Sequence, residues 1–387
     1  MRARKSGAAR IAQRELVILE HIQNVGPDIT KISDMTGIPR ETVRYLFKEH
    51  ILKKRIRVQR EIDHEKLGLS YIQFLVKFPP AVDDLFNLAE GSFMGLWENI
   101  YSSSVYRVIP ENYRFIGHLA PPSFHPLLEQ FYERLQEIGL CRVIEKYRVD
   151  HLVHNPMWVE EYDIKRNTWD FDWELRGRKP PASTGEPFIS EPVGIDRTDL
   201  EIIRLHSRNP EANMTELAAK LKMKQPTFAY HWREHVMSRG LFKGWYIRWL
   251  GTHRDPKTGQ ILRRRSSAAI NVIAKDLSPV EMINFRAQLH SIPFLWSEQI
   301  GTKVGDVNAE TLVPSNELVD YFDFLGKITT QLQDRVRIMM VDQQSSFVES
   351  VHPHLFDESR GGWFYMGDLI LEAMEKGMSD YAFSAEK

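Results

Sequence analysis

Residues 30–50 read Thr-Lys-Ile-Ser-Asp-Met-Thr-Gly-Ile-Pro-Arg-Glu-Thr-Val-Arg-Tyr-Leu-Phe-Lys-Glu-His, and residues 215–235 read Thr-Glu-Leu-Ala-Ala-Lys-Leu-Lys-Met-Lys-Gln-Pro-Thr-Phe-Ala-Tyr-His-Trp-Arg-Glu-His. The two stretches match at a constant offset of 185. Thr30 meets Thr215, Ile32 meets Leu217, Ile38 meets Met223, Thr42 meets Thr227, Tyr45 meets Tyr230, and Glu49-His50 meets Glu234-His235. Each copy has the outline of a helix-turn-helix: a short helix, a tight turn and a second helix.

Working outward, Ile11, Leu16, Leu19 and Ile22 recur at helical spacing, so residues 10–24 are expected to form an amphipathic helix ended by Gly26-Pro27-Asp28. Thr30 and Thr215 are expected to cap the next helix of each copy, and Gly37 to break the first. Pro39 and Pro226 suit the first turn of the third helix. Val43 and Phe47 should face the core in the first copy, Phe228 and Trp232 in the second. That leaves Arg40, Glu41, Thr42, Arg44, Tyr45 and Lys48, and then Lys224, Gln225, Thr227, Tyr230, His231 and Arg233, for an outward face able to read a major groove. Lys53, Lys54 and Arg55 begin a run to Arg60 that alternates basic and apolar residues, as a wing along phosphates would. Arg263, Arg264 and Arg265 close a longer hairpin-like segment in the second copy.

Charge follows the repeat. The chain of 387 residues has a net charge of −1, yet residues 1–60 hold 14 Lys/Arg against 6 Asp/Glu and residues 196–265 hold 15 against 7. The remainder nets −17. A polyanion, double-stranded DNA, is therefore the expected partner of the two basic segments. With 42% hydrophobic and 11% aromatic residues the chain can bury substantial cores. The single cysteine, Cys141, excludes disulfide frameworks and Cys-rich zinc sites. No apolar run is long enough to span a membrane, and the basic N-terminus lacks the apolar centre of a signal peptide. Cytoplasmic location and no membrane partner are the expectation.

After the first basic run comes Asp63-x-x-x-Leu67-Gly68 ahead of a new strand, and the second copy opens on Asp196-x-x-Asp199-x-x-Ile202-Ile203. With the helix-turn-helix and wing, these features resemble the leucine-responsive/asparagine-regulator (Lrp/AsnC) transcription factors, here in tandem. The resemblance implies an α+β chain in which two winged helix-turn-helix domains alternate with two ferredoxin-like βαββαβ domains. The strand and helix patterns of residues 71–149 and 268–341 fit that order. The expected divisions are 1–62, helix-turn-helix; 63–154, α/β; 155–194, an aromatic and Pro-rich linker; 195–265, the second helix-turn-helix; 266–350, the second α/β domain; and 351–387, a packing arm. The family also implies dimerisation through the α/β domains, as a homodimer or an intramolecular pseudo-dimer, and a possible small-molecule effector.

Catalytic chemistry leaves no motif: there is no Walker A loop, dinucleotide fingerprint or nucleophile elbow. No catalytic residue, metal site or cofactor is expected, and the chain is read as a DNA-binding regulator rather than an enzyme. His50 and His235 fall where the family carries a core-facing Leu, which favours a structural role. His118, His125, His352 and His354 lack ligand spacing. Two other readings stay open. Siroheme decarboxylases resemble the same architecture and bind a tetrapyrrole using His, Arg and Tyr, for which Tyr106, Arg107 and His118 are the candidates. A protein-interaction adaptor of the transcription machinery is the other.

Overall fold

The computed structural model describes residues 7–385 except 55, 89–95, 110–112, 166–167, 170, 176–189, 209–211, 250–252, 255–260, 264–266, 304 and 349–350. In chain order, three helices, α1 (Gly7–Val25), α2 (Ile29–Thr36) and α3 (Arg40–Tyr45), precede strand β1 (Arg57–Ile62). Then follow β2 (Ser70–Lys77), α4 (Pro80–Leu88), β3 (Ser102–Ile109), β4 (Tyr113–Ala120), α5 (His125–Glu137) and β5 (Arg142–His154). The second half repeats the order with α6 (Arg197–Arg208), α7 (Met214–Lys220), α8 (Gln225–Tyr230) and β6 (Phe242–Arg248). It continues through β7 (Ser267–Ala274), α9 (Pro279–Leu289), β8 (Leu295–Gly301), β9 (Val307–Pro314), α10 (Leu318–Thr329) and β10 (Val336–Val348), and ends in α11 (Gly367–Ala385). The fold is mixed α/β, as expected. No helix among the described residues is long and apolar enough to cross a membrane.

The helix caps lie two residues earlier than expected. Asp28 accepts from the backbone N–H of Thr30 and Lys31, both at 3.0 Å, and so caps α2 in place of Thr30. Asn213 forms a capping box with Glu216 and displaces Thr215. In both cases the earlier side chain is the one whose oxygen reaches the first free N–H groups. Gly37 ends α2 at φ 66°, as expected. Both third helices run on into a wider π-type turn, Leu46–Ile51 after α3 and His231–Met237 after α8, so the repeat extends to this irregularity.

The chain divides into two compact units, each drawn from three separated segments. One comprises Met1–Ile62, His151–Phe188 and Phe242–Met340. Here β1 does not lie free as a wing. It pairs antiparallel with β6, from Arg57↔Arg248 to Ile62↔Phe242. The apolar half of its alternation, Val58 and Ile62, is buried, so pairing satisfies its backbone and its side chains together. Because β1 and β6 are the same strand of the repeat, 185 residues apart, Arg60 and Trp245 face each other at the centre of a local two-fold. The Arg60 guanidinium stands 4.1 Å from the Trp245 ring centroid. Trp245 also closes on Gly26, held at φ 73°, where a β-carbon would fall 2.2 Å from the indole.

In the same unit β7 and β8 flank β9, both antiparallel. Helix α10 covers one face, where the Tyr321 hydroxyl meets Thr311 Oγ1 at 2.7 Å. The aromatic part of the expected linker packs here. Trp169 meets Trp249 and Phe294, and Trp173 lies against Phe294 and Phe324 and donates its indole N–H to Glu317 at 2.8 Å.

The other unit comprises Asp63–Asp150, Ile189–Leu241 and Val341–Lys387. Its antiparallel sheet has the order β5-β2-β4-β3. Strand β3 begins at Ser102, not at Leu96 as the apolar run suggests, because Tyr101 turns the chain at φ 64°. Phe74 stacks on Tyr132 at 4.0 Å within a core shared with Trp97, Phe131, Leu355 and Ile370. The C-terminal segment is tied down by the Tyr101 hydroxyl, which donates to Phe364 O at 2.8 Å.

Buried in this unit, Arg114 Nε donates to Asp83 Oδ1 at 2.7 Å, with the arginine only 1% exposed. Removing one partner of such a pair leaves an uncompensated buried charge. Asp83→Ala is expected to cost about 3–5 kcal/mol in chemical denaturation, and a loss under about 1 kcal/mol would show that the pair contributes little.

Candidate active site

The face of β9 turned away from α10 carries a polar row. Glu310 pairs in register with Asn271 of β7 on one side and Ser297 of β8 on the other. Alternation puts Asn308 on the same face, where its amide donates to Gln299 Oε1 at 2.9 Å. The opposite face is Ile270, Val272, Ala309 and Thr311, which are core residues. Burial pushes the Glu310 carboxyl up, opposed by the nearby charges of Arg248 and His154 and a hydrogen bond with Ser297. A raised carboxyl is the kind of group that can hand over a proton.

Around it stand groups from three other strands of the same unit. Arg248, at the end of β6, holds its guanidinium 5.0 Å from the Trp296 ring centroid. His154, at the end of β5, stacks face to face on Tyr246 with centroids 4.0 Å apart, and meets Trp296 edge-on at 5.1 Å. Its Nδ1 lies 3.1 Å from Glu61 Oε1. Burial raises the Tyr246 phenol to about 12. Arg248 Nε, Trp296 Nε1, Asn271 Oδ1 and Asn308 Oδ1 are buried without a hydrogen-bond partner among the described residues. Other buried polar atoms of the unit share this state, and these four are the ones that a polar ligand lying against this face would engage. The arrangement suits a flat, anionic molecule: aromatic rings for its faces, Arg248 for a carboxylate and Glu310 to supply a proton.

The residues assigned to DNA from the sequence sit as follows. Arg40, Glu41, Arg44, Tyr45, Lys48 and Lys53 are exposed and Thr42 is half-buried. Arg44 is paired with Glu41 at 2.6 Å, and Lys53 with Glu49. Lys224, Gln225, Thr227, Tyr230 and Arg233 are exposed, with Arg233 bonded to Glu234 at 2.6 Å. His231 is not on that outward face: it turns back to Asp199, Nδ1 to Oδ1 3.1 Å. The wider turn that begins at His231 changes the helical phase there. Arg55, Arg264 and Arg265 lie outside the described residues, and only the backbone of Lys54 and Arg263 is described. His50 is half-buried against Glu15, Nδ1 to Oε1 2.5 Å.

The tetrapyrrole candidates fare differently from one another. His118 is fully buried, with Nδ1 2.8 Å from Ile100 O and Nε2 2.8 Å from the Tyr132 hydroxyl, and burial lowers it to about 4. It is a core residue. Tyr106 and Arg107 are half-buried. His352 and His354 are also engaged, with Ser102 O at 2.9 Å and Asn99 Oδ1 at 3.0 Å. Sequence reasoning missed Glu310, Arg248, His154 and Tyr246. The available signal was the polar alternation Asn308, Glu310 inside an apolar strand.

No family model and no curated protein sequence matches the chain. Among solved structures, the siroheme decarboxylase NirDL shares the fold with a TM-score of 0.51 at 11% identity, over 93% of this chain and 99% of that one. The same protein in co-complex with an iron-uroporphyrin III analogue gives 0.50 at 11% identity, over 94% and 98%. An AsnC family transcriptional regulator from Agrobacterium tumefaciens covers 41% of this chain and 96% of its own, with a TM-score of 0.29 at 14% identity. The expectation that the chain is not an enzyme is thereby corrected. Its fold, over nearly the whole length, is one that a decarboxylase uses.

The raised Glu310 carboxyl has a consequence for stability. A carboxyl whose folded value lies above its ordinary 4.5 favours folding below that pH and loses the contribution as pH rises through the folded value. Between pH 4.5 and 8, Glu310→Gln is therefore expected to gain stability relative to the unaltered protein in urea denaturation. A constant difference across that range would place Glu310 in contact with water.

Proposed function

We propose that this protein is an enzyme that binds a carboxylated tetrapyrrole and removes carboxylate from it. The observation that carries the reading is the full-length likeness to a siroheme decarboxylase, supported by the polar face around Glu310. In this reading Arg248 receives the reacting carboxylate and His154, Tyr246 and Trp296 lie against the macrocycle. The bond between the carboxylate and its carbon breaks and CO2 leaves. The electron pair left on carbon takes the proton that Glu310 holds, and Glu310 is reprotonated from solvent. Burial serves both halves: it shifts Glu310 toward its protonated form and strengthens Arg248's hold on an anion.

Titration with iron-uroporphyrin should perturb the main absorbance band of the porphyrin, and incubation with siroheme should yield products lighter by CO2 in mass spectrometry. Arg248→Met should weaken binding at least about tenfold. Glu310→Gln should keep binding and lower turnover by about 100-fold or more. An unchanged spectrum and unaltered siroheme would refute the assignment.

A second reading rests on the exposed cations in and beside α3 and flanking α8. Under it, the two three-helix segments are winged helix-turn-helix heads and the two β-α-β-β-α-β segments are ferredoxin-like domains that pair as a pseudo-dimer or between chains. The heads would bind double-stranded DNA through Arg40, Arg44, Lys48, Lys224 and Arg233, with the tetrapyrrole as a small-molecule effector. Binding would then fall steeply with salt. Arg44→Ala and Arg233→Ala should each weaken a gel shift several-fold without unfolding the protein, and two silent variants would remove these helices from any DNA interface.

A further inference from the structure

Four potential ligands meet at the start of α6, in the unit that holds residues 189–241. Asp196 caps the helix: Asp199 N–H donates to Asp196 Oδ1 at 2.8 Å, and Asp196 N–H donates to Asp199 Oδ2 at 3.2 Å. Each carboxylate is thus fixed through one oxygen by the other's backbone. The remaining pair, Asp196 Oδ2 and Asp199 Oδ1, turns toward His231 and His235, which stand four residues apart in the π-type turn after α8, and Asp199 Oδ2 also lies 3.3 Å from His235 Nδ1.

From His231 Nδ1 the distances are 3.1 Å to Asp199 Oδ1 and 3.7 Å to Asp196 Oδ2. From His235 Nδ1 they are 3.2 and 3.5 Å to the same two oxygens. All the donor atoms of the four residues lie within 4.8 Å of one another. Plain hydrogen bonding accounts for Asp199 but poorly for the Asp196 Oδ2 contacts with the two imidazoles, which are at or beyond hydrogen-bond length. A shared centre accounts for all four. Bonds of 2.0–2.1 Å to a tetrahedral zinc ion put neighbouring ligand atoms roughly 3.3 Å apart, within the range of the four His–Asp distances.

We propose that Asp196, Asp199, His231 and His235 form a binding site for a divalent transition metal ion, best suited to Zn2+. Two imidazoles and two carboxylates in a compact four-point set favour zinc over magnesium or calcium, which take more ligands and mostly oxygen. Asp199 is fully buried, and the Arg239 guanidinium at 3.6 Å is the other cation that faces it. An open cleft of about 550 Å³, lined by Val193, Gly194, Ile195, Asp196, His235 and Arg239, gives an ion a way in. The reciprocal backbone bonds of Asp196 and Asp199 supply the outer hydrogen bonds that hold these ligands in place before the metal arrives. The first copy of the repeat has Ile11, Arg14, Leu46 and His50 at the corresponding positions, so it offers no counterpart. One ion per chain would pin α6 to the helix that follows α8. This site is independent of the tetrapyrrole reading and would survive its failure.

The test is titration of the metal-free full-length protein with Co2+, followed by visible absorption. Tetrahedral d–d bands should saturate at one equivalent and be displaced by Zn2+, and Zn2+ should raise the unfolding temperature. The double variant His231→Gln/His235→Gln should lose the bands and the thermal shift while keeping its circular dichroism. If the double variant does not fold, His235→Gln alone, in the lining of the cleft, should weaken Co2+ binding at least about tenfold. Absence of bands with millimolar Co2+, or bands that persist in the variants, would overturn the proposal.

Discussion

The structure depends on an antiparallel pairing between two copies of one strand. Strands β1 and β6 descend from the same position of the repeat, and they meet around Arg60 and Trp245. A symmetric dimer would place identical residues at that centre. Fusing both copies into one chain allows an arginine to face a tryptophan there, a cation–π contact of about 0.5–2 kcal/mol. The pairing also fixes which parts of the chain assemble. It draws the N-terminal helices together with the sheet of the second half, whose segments belong to the same unit. Arg248 and Tyr246 sit on β6 and Glu61 on β1, so the pairing that organises the unit also delivers its polar groups toward Glu310.

Much of this could be read from residues alone, and the failures have physical causes. The 185-residue repeat, the helix order and the mixed α/β class came through because they rest on periodicity over long windows. The caps did not, because Asp28 and Asn213 compete with Thr30 and Thr215 and only side-chain reach decides between them. The basic run before Arg60 looked like a wing because its partner strand is far away in sequence. Regular helical spacing points His231 outward, but the turn it begins is wider than regular and swings it back to Asp199.

The polar face was the largest omission. Asn271, Ser297, Asn308 and Glu310 each read as an ordinary polar position on a half-exposed strand. Only the registers of β7, β8 and β9 place Asn271, Ser297 and Glu310 in one row. His118, the sequence-based choice, is instead locked into the core by Tyr132 and Ile100. A histidine beside small residues on a strand is as compatible with a core as with a site, and depth alone separates the two.

The polar face is a site only if a ligand completes it, and a crystal structure of the protein with iron-uroporphyrin bound is the direct examination. The account predicts a ligand carboxylate on the Arg248 guanidinium, a second contact from the Glu310 carboxyl, and the macrocycle against His154 and Trp296. A tetrapyrrole lodged elsewhere, with Arg248 Nε and Asn271 Oδ1 still unpartnered, would contradict it.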